Sequence, residues 1–217
     1  MFVSDWMTKK VYTLKTDASL YDALGLTKEH LIKYVPILRA GSLAGIISAG
    51  DIKDFFLATA LKMENCNAGT LSGTTVADIM KKKVVTVGPH TPVEEAAMIM
   101  HDNQIGCLPV VEDDRLIGII ADADIYRILV DITGIRNGGH RLCLIIEDRP
   151  GSIKDVADIV RHHGFRLQSI LTSYEGLEPG LRRLVLRTKG KGNFKGLKAD
   201  IEKPLAASRE IDIMEGL

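Results

Sequence analysis

The order of hydrophobic and polar positions repeats itself along the first part of the chain. A shift of 73 residues aligns Val3–Phe56 with Val76–Leu129 without an insertion, so that VSDWMTKKVYTL lies over VADIMKKKVVTV. The same shift places YVPILRAGSLAGIISAGDI over CLPVVEDDRLIGIIADADI. A register that holds over this whole length indicates a tandem duplication of one folding unit.

Within each copy, the spacing of the apolar residues predicts the same series of elements. In the second copy, Val84–Val87 favours a short strand, and TPVEEAAMIMHDN has the period of a helix. CLPVV and LIGII, joined by the polar turn EDDR, predict a hairpin of buried strands, and a helix follows from Asp124. A unit of about sixty residues buries only a marginal core on its own. We therefore expect the two copies, separated by the polar linker NCNAGTLSGTT, to pack face to face.

The rest of the chain predicts a separate unit that begins after the glycine-rich break RNGGH. Strands are expected at RLCLIIE, FRLQSILTSYE, LRRLVLRT and REIDIM. Helices are expected at SIKDVADIVRHHG, with Ser152 as its N-cap, and at FKGLKADIEK. The resulting order βαββαβ is the ferredoxin-like arrangement. The sequence thus predicts an α/β (α+β) fold class with domains at 1–66, 74–135 and 139–217.

One strand-to-helix corner of the repeat carries candidate chemistry, GIISAGDI at Gly45–Ile52 and GIIADADI at Gly118–Ile125. A buried strand ends there where a helix begins, so backbone N–H groups are open to an anion such as phosphate. The Asp51 carboxylate can accept hydrogen bonds from both hydroxyls of a ribose. Ser48 and Asp51 equally match a plain capping box, in which they serve only the helix. The residues alone leave both interpretations open.

These features resemble known families. The starts DWMTKKVYTL and DIMKKKVVTV, the strands VPIL and LPVV, and the closing corner resemble a tandem pair of CBS domains, a Bateman module. DRPGSI between a strand and a helix, within the βαββαβ order, resembles an ACT domain. The combination is similar to the acetoin-utilisation B-type proteins. The resemblance implies two pseudo-symmetric CBS units followed by a ferredoxin-like ACT domain.

The CBS resemblance implies an adenosine ligand (AMP, ADP, ATP or S-adenosylmethionine) in the clefts between the paired units. It assigns ribose binding to Asp51 and Asp124 and a phosphate contact to Ser48. The other nucleotide-binding positions that it implies would contact or enclose adenine: Ile46, Thr86, Leu108 and Val110 in the first site, and Ile119, Thr13, Val35 and Ile37 in the second. Because Ala121 replaces the serine of the second copy, we expect the Asp51 cleft to be the principal nucleotide site. The Asp124 cleft should be weaker, empty, or suited to a ligand whose tail is not anionic.

The ACT resemblance implies a candidate effector site for an amino acid at the loop EDRPGS. Asp148 would receive the amino group, and the N–H groups of Gly151 and Ser152 would receive the carboxylate. The same residues suit a tight strand-to-helix connection that binds nothing. An edge strand of such a sheet also invites pairing with a second copy, so we expect a homodimer.

Composition narrows the function further. The 28 basic and 28 acidic residues cancel, so neither nucleic acid nor a membrane is an expected partner. Three scattered cysteines without a C-x-x-C pair fit a reducing compartment, and MFVSDWMTKK lacks the pattern of a secretory signal, so we expect a cytoplasmic protein. Walker A, G-x-S-x-G and H-E-x-x-H signatures are missing from the sequence. We therefore expect no catalytic residue, no metal site and no catalytic cofactor.

Two functions stay open from the sequence. In the first, adenosine ligands change the arrangement of the CBS units, and the ACT unit or an unknown regulated protein responds. In the second, the chain is an ACT-mediated amino-acid-responsive module or a dimerisation scaffold whose nucleotide sites are degenerate.

Overall fold

A computed structural model of the protein describes residues 1–61, 68–202 and 211–214. The chain divides into two units, Met1–Ile125 and Tyr126–Leu217. The elements of the first repeat are α1 (Val3–Trp6), β1 (Leu14–Lys15), α2 (Leu20–Glu29), β2 (Tyr34–Arg39), β3 (Ser42–Ser48) and α3 (Ala49–Ala60). Those that follow are α4 (Ala68–Gly73), α5 (Val76–Ile79), α6 (Val93–Asp102), β4 (Cys107–Glu112), β5 (Arg115–Ala121) and α7 (Asp122–Thr133).

The two hairpins of the repeat have the same register, which confirms the duplication at the level of backbone pairing. Val35 pairs with Ile47 in the first hairpin, and Leu108 pairs with Ile120 at the equivalent place in the second. Both turns contain two residues with positive φ, as a two-residue hairpin loop requires. The matched registers bring the two strand-to-helix corners to equivalent positions.

The strand expected at Val84–Val87 is reduced to one bridge, in which Val87 pairs in parallel with Val110. In the first repeat, by contrast, β1 pairs with β2 over two residues. Pro89 has no N–H and so removes the pairing that would follow Val87. Residues 84–86 are unpaired for another reason, because the equivalent residues 11–13 of the first repeat also lie outside the sheet. Val84 and Val85 are therefore outside the sheet pairing of the described residues and are available to line a cleft.

The stretch predicted as a polar linker contains a helix. α4 spans Ala68–Gly73, and its one large apolar side chain, Leu71, is only 7% exposed in the core of the first repeat. The buried leucine stabilises the packing of this short helix against α2. The sequence did not predict the helix because most of the stretch is Gly, Ser and Thr. The linker residues before Ala68, 65–67, lie outside the described residues.

The leading segment of each repeat packs into the core of the other repeat. Val3 N–H donates to the carbonyl of Thr91 (2.9 Å), and Val76 N–H donates to the carbonyl of Ala18 (2.8 Å). The core around the first hairpin contains Leu20, Val35, Ile37, Ile47, Ile52, Leu71, Val76 and Met80, and that around the second contains Val3, Val87, Ala96, Leu108, Val110 and Ile120. The expected packing of the two copies against each other is confirmed, and each copy also places its leading segment in the core of the other.

The second unit has the order that the sequence predicts. After a short 3-10 helix (Ile135–Asn137) come β6 (Arg141–Glu147), α8 (Ser152–His162), β7 (Arg166–Ser173), β8 (Leu181–Lys189), α9 (Phe194–Glu202) and β9 (Ile211–Met214). The strands form an antiparallel sheet in the order β7-β8-β6-β9, which is ferredoxin-like. Leucines of β6 and β8 pack against α8 and α9 to form its core. The predicted α/β fold class is confirmed.

None of the helices in the described part of the chain combines the length and the apolar character that crossing a bilayer requires.

Candidate functional site: two paired clefts

The first corner is held together by a complete capping box at the start of α3. Ser48 is the N-cap, and its N–H and its hydroxyl both donate to Oδ2 of Asp51, at 2.7 and 2.5 Å. Asp51 N–H donates in return to Oγ of Ser48 (3.0 Å). The one hydroxyl proton of Ser48 therefore points at Asp51, and a phosphate could receive it only by breaking this bond.

Asp51 lines a cleft of about 220 Å³, the first cleft, and its other carboxylate oxygen, Oδ1, takes no part in the capping box. Oδ1 lies 3.2 Å from Nζ of Lys81, and the Asp51 side chain is 21% exposed. Partial burial raises the pKa of Asp51, but the hydrogen bonds from the Ser48 side chain and backbone, together with Lys81, lower it below its ordinary value. The carboxylate is thus charged at neutral pH, and one of its oxygens is not used by the helix start.

The first cleft lies between the two repeats. Its lining consists of Tyr34, Ile46, Ile47, Ser48 and Asp51 from the first repeat, and Lys81, Lys83, Val84, Val85, Gln104, Ile105, Gly106 and Cys107 from the second. Cys107 is buried, and burial followed by the nearby Asp122 carboxylate raises the pKa of its thiol to about 12. This thiol is therefore a neutral, apolar part of the wall.

The second corner lines an equivalent cleft of about 310 Å³, the second cleft. Oδ2 of Asp124 accepts a hydrogen bond from the N–H of Ala121 (3.0 Å). This bond is equivalent to the one from the Ser48 N–H to Asp51 in the first corner. The lining consists of Thr8, Lys10, Val11, Tyr12, Leu31, Ile32, Lys33 and Tyr34 from the first repeat, and Ile119, Ala121, Asp122, Ala123 and Asp124 from the second. Nearly every lining position of one cleft thus has its counterpart 73 residues away in the other.

Charge distinguishes the two clefts. The first contains Lys81, Lys83 and Asp51 and carries one net positive charge. The second contains two lysines and two aspartates, so its formal charge is zero, and Lys33 lies 3.5 Å from Asp122. An anionic group is therefore favoured in the first cleft more than in the second.

Tyr34 is the wall that both clefts share. Its ring lies against Gly106, where a β-carbon would overlap the phenol oxygen. Glycine at this position lets the aromatic side chain lie between the two cavities, so the clefts are adjacent.

The structure brings five of the predicted nucleotide-binding residues to the cleft walls. Ser48, Asp51 and Ile46 line the first cleft, and Ile119 and Asp124 line the second. Each isoleucine has both of its backbone hydrogen-bonding groups paired with the partner repeat, so only its side chain is open to a ligand.

The other predicted positions lie elsewhere. Leu108, Val110, Val35 and Ile37 are fully buried in the two cores, and they expose no surface to either cleft. Thr13 is half-buried and Thr86 is exposed, and neither borders the clefts. The apolar walls are formed instead by residues near the start of each repeat, which sequence reasoning missed: Val11 and Tyr12, and Val84 and Val85.

Lys81 is the polar residue that sequence reasoning missed. It is the first lysine of the run KKK, and the alignment pairs it with Thr8. A signal was therefore present, because a change from Thr to Lys at equivalent positions of a duplication marks a chemical difference between the copies.

In the second unit, the candidate effector loop borders a hollow of about 420 Å³. Asp148, expected to receive an amino group, accepts a hydrogen bond from Arg182. The N-cap of α8 is Gly151, with φ +89°, and not Ser152 as expected, because the tight turn after Pro150 needs a left-handed residue there. Ser152 is 5% exposed, its N–H donates to the carbonyl of Arg149, and its hydroxyl has no hydrogen-bond partner among the described residues.

Within the part of the chain that the structure describes, no three His, Cys, Asp or Glu side chains are grouped so that they could hold a metal ion.

A family model described as CBS domain matches residues 3–58 and 76–131. These ranges coincide with the two repeats, and together they make up half of the chain. The chain belongs to the CBS domain family. Its first unit is a tandem CBS pair, a Bateman module, and the two clefts lie between its CBS units.

Several solved structures are similar to this chain. AcuB of Vibrio cholerae is 33% identical, with a TM-score of 0.53, over 63% of this chain and 96% of that one. The CBS domain pair of protein MJ0100, in complex with 5′-methylthioadenosine and S-adenosyl-L-methionine, is 30% identical, with a TM-score of 0.51, over 60% of this chain and 97% of that one. CBSX2 in complex with AMP is 27% identical, with a TM-score of 0.51, over 60% of this chain and 97% of that one.

Some longer relatives match this chain over only 24% of their own length. The activities of those whole proteins therefore say nothing about this chain.

Proposed function

We propose that this protein is a regulatory sensor that binds adenosine ligands in the two clefts of its CBS pair. Occupancy would change the arrangement of the CBS units, and the second unit or a partner protein would respond. A ligand shifts such an equilibrium only as far as it binds the two arrangements with different affinity.

The observation that supports this function best is the Asp51 carboxylate. Its Oδ2 is fixed by the helix start, and its Oδ1 is outside that box, on a side chain that lines a cavity with apolar residues from both repeats. Such an oxygen can accept hydrogen bonds from the vicinal hydroxyls of a ribose, while Ile46, Val84 and Val85 offer apolar surface to a base. The similar structures of MJ0100 and CBSX2 contain S-adenosyl-L-methionine and AMP, which are also adenosine ligands.

The positive charge of the first cleft makes it the principal site for AMP, ADP or ATP. The second cleft, with no net charge, suits an adenosine ligand whose 5′ tail is neutral or cationic, such as S-adenosylmethionine.

Titration calorimetry with AMP on the whole protein tests the proposal. Asp51→Ala should weaken binding about thirty- to one-hundredfold, since a hydrogen bond to a charged group contributes about 1.5–3 kcal/mol. Asp124→Ala should have a smaller effect on AMP. Equal effects of the two variants would contradict the asymmetry, and no binding to the wild type would contradict the function.

Asp78→Ala is the matched control. Asp78 closes the same kind of capping box with Thr75, and it is exposed and borders neither cleft. This variant should lose a helix cap as Asp51→Ala does and keep its affinity for AMP.

A second candidate function concerns the second unit, as an ACT-like module that binds an amino acid or mediates dimerisation. The buried Ser152 hydroxyl beside the 420 Å³ hollow favours a ligand there. Thermal-shift screening with amino acids tests it, because a ligand at one hundred times its Kd adds about 2.7 kcal/mol of stability. Stabilisation by amino acids and not by nucleotides would make this the main function.

A further inference from the structure

The side chains of Lys81 and Thr8 start from equivalent backbone positions, one at each cleft. Lys81 and Ile46 exchange two backbone hydrogen bonds, of 2.9 and 3.0 Å, and Thr8 and Ile119 exchange the same two bonds at the same distances. Each bridge lies beside the aspartate of its corner. The two side chains therefore occupy matching positions, and they differ in length and in charge.

The other charges near the clefts do not explain the difference between them. Lys83 and Lys10 are counterparts, one in each cleft. Lys33 and Asp122 are both specific to the second cleft and pair with each other at 3.5 Å. What remains is Lys81, whose ammonium group lies 3.2 Å from Oδ1 of Asp51. Its counterpart in the lining of the second cleft is Thr8, which carries no charge.

We infer that Lys81 makes the first cleft selective for adenosine ligands with an anionic 5′ tail, and that Thr8 leaves the second cleft to ligands with a neutral or sulfonium tail. The inference rests on the proposed function. Lys81 is 65% exposed on a flexible stem, so ribose hydroxyls that bind Oδ1 of Asp51 can displace its ammonium group. The displaced charge then lies beside the 5′ substituent, where it attracts a phosphate and repels a sulfonium.

The test exchanges the two residues within the full chain. AMP and 5′-methylthioadenosine serve as probes because they share adenosine and differ in the tail. Lys81→Thr is made in the Asp124→Ala background, which leaves only the first cleft functional, and Thr8→Lys is made in the Asp51→Ala background. Calorimetry at low ionic strength avoids screening of these exposed charges.

We expect Lys81→Thr to weaken AMP binding about tenfold and to leave 5′-methylthioadenosine within about twofold, since tenfold is within the strength of one charge-assisted hydrogen bond. Thr8→Lys should strengthen AMP binding by about fivefold or more. The salt dependence of AMP binding should decrease in Lys81→Thr.

Lys82→Thr is the matched control, because it removes the same charge from the next residue, which is exposed and borders neither cleft. Lys81→Arg should keep the preference for AMP. Equal weakening of both probes by Lys81→Thr, or the same loss in Lys82→Thr, would overturn the inference. The proposed function would still stand in that case if Asp51→Ala weakens AMP binding as expected. Failure of both probes to bind the wild type would instead remove the proposed function itself.

Discussion

The sulfur of Met80 lies 2.5 Å from the place that a β-carbon on Gly45 would occupy. Met80 belongs to the leading segment of the second repeat, and Gly45 lies on β3 of the first. The carbonyl of Lys81 lies 3.0 Å from the same point. Gly118 is related in the same way to Met7. Because Gly45 and Gly118 have no side chain, the exchanged leading segments can approach the two strands at these positions.

Gly45→Ala should therefore lower the free energy of unfolding by about 1–3 kcal/mol, the usual cost of overpacking a core. Gly25→Ala is the control, because Gly25 lies within α2 with open space around it. Alanine there should raise stability by about 0.5–1 kcal/mol through its better helix propensity. Urea unfolding monitored by circular dichroism measures both. Equal stability of the Gly45→Ala variant and the wild type would show that Met80 moves aside freely.

The two corners allow a reciprocal exchange of the serine. Ser48→Ala removes both hydroxyl bonds of the first capping box and should cost about 1 kcal/mol. Ala121→Ser places a hydroxyl beside Asp124, which already accepts from the backbone of residue 121, and should stabilise the protein by about 0.5–1 kcal/mol. Denaturant midpoints measure both changes. An Ala121→Ser variant no more stable than the wild type would mean that the second helix start cannot adopt the box.

Acid should remove the contribution of Asp51 to stability. Its pKa in the folded protein is lowered, so the contribution is fully present above the unfolded value of about 3.9 and is lost as pH falls through the folded pKa. The gap in unfolding free energy between wild type and Asp51→Asn should be constant above about pH 5 and should narrow below about pH 4. Denaturant unfolding at a series of pH values measures it. A gap that widens in acid would mean that the carboxylate is not stabilised in its charged form.

Cys107 should resist thiol reagents in the native protein. Burial and the neighbouring Asp122 raise the pKa of its thiol to about 12, so almost no thiolate exists near neutral pH. Alkylation followed by peptide mass spectrometry should find Cys107 unmodified until denaturant is added, whereas the half-buried Cys143 should react earlier. Rapid labelling of native Cys107 would indicate that the first cleft opens widely.

The sequence predicts the fold well wherever periodicity carries the information. The hairpins, the capping box of Ser48 and the order of the second unit follow from local pattern and chemistry. The exchange of Val3 and Val76 between the cores could not be predicted in this way, because both segments have the same apolar pattern and fit either partner. The prediction of a strand at Val84–Val87 was wrong because only Val87 reaches the sheet, as only Leu14 and Lys15 do in the first repeat, and Pro89 removes the next donor.

For the candidate site, the sequence identifies the corners and misses the walls. Leu108 and Val110 match the family pattern, but their side chains point into a core that any hairpin of this kind must fill. Val84, Val85 and Lys81 lie far from the corner in the chain and reach it only because the repeats interlock. Their placement depends on tertiary structure, which periodicity does not encode.

The interlocked leading segments set how many copies of the repeat a folded molecule needs. A chain with one repeat alone would leave an apolar groove empty and would have its own first helix without a place to dock. Two such half-length chains would satisfy each other, each lending its first turns to its neighbour. Within one polypeptide the two corners need not match, so the first cleft can carry a serine and a lysine where the second has an alanine and a threonine.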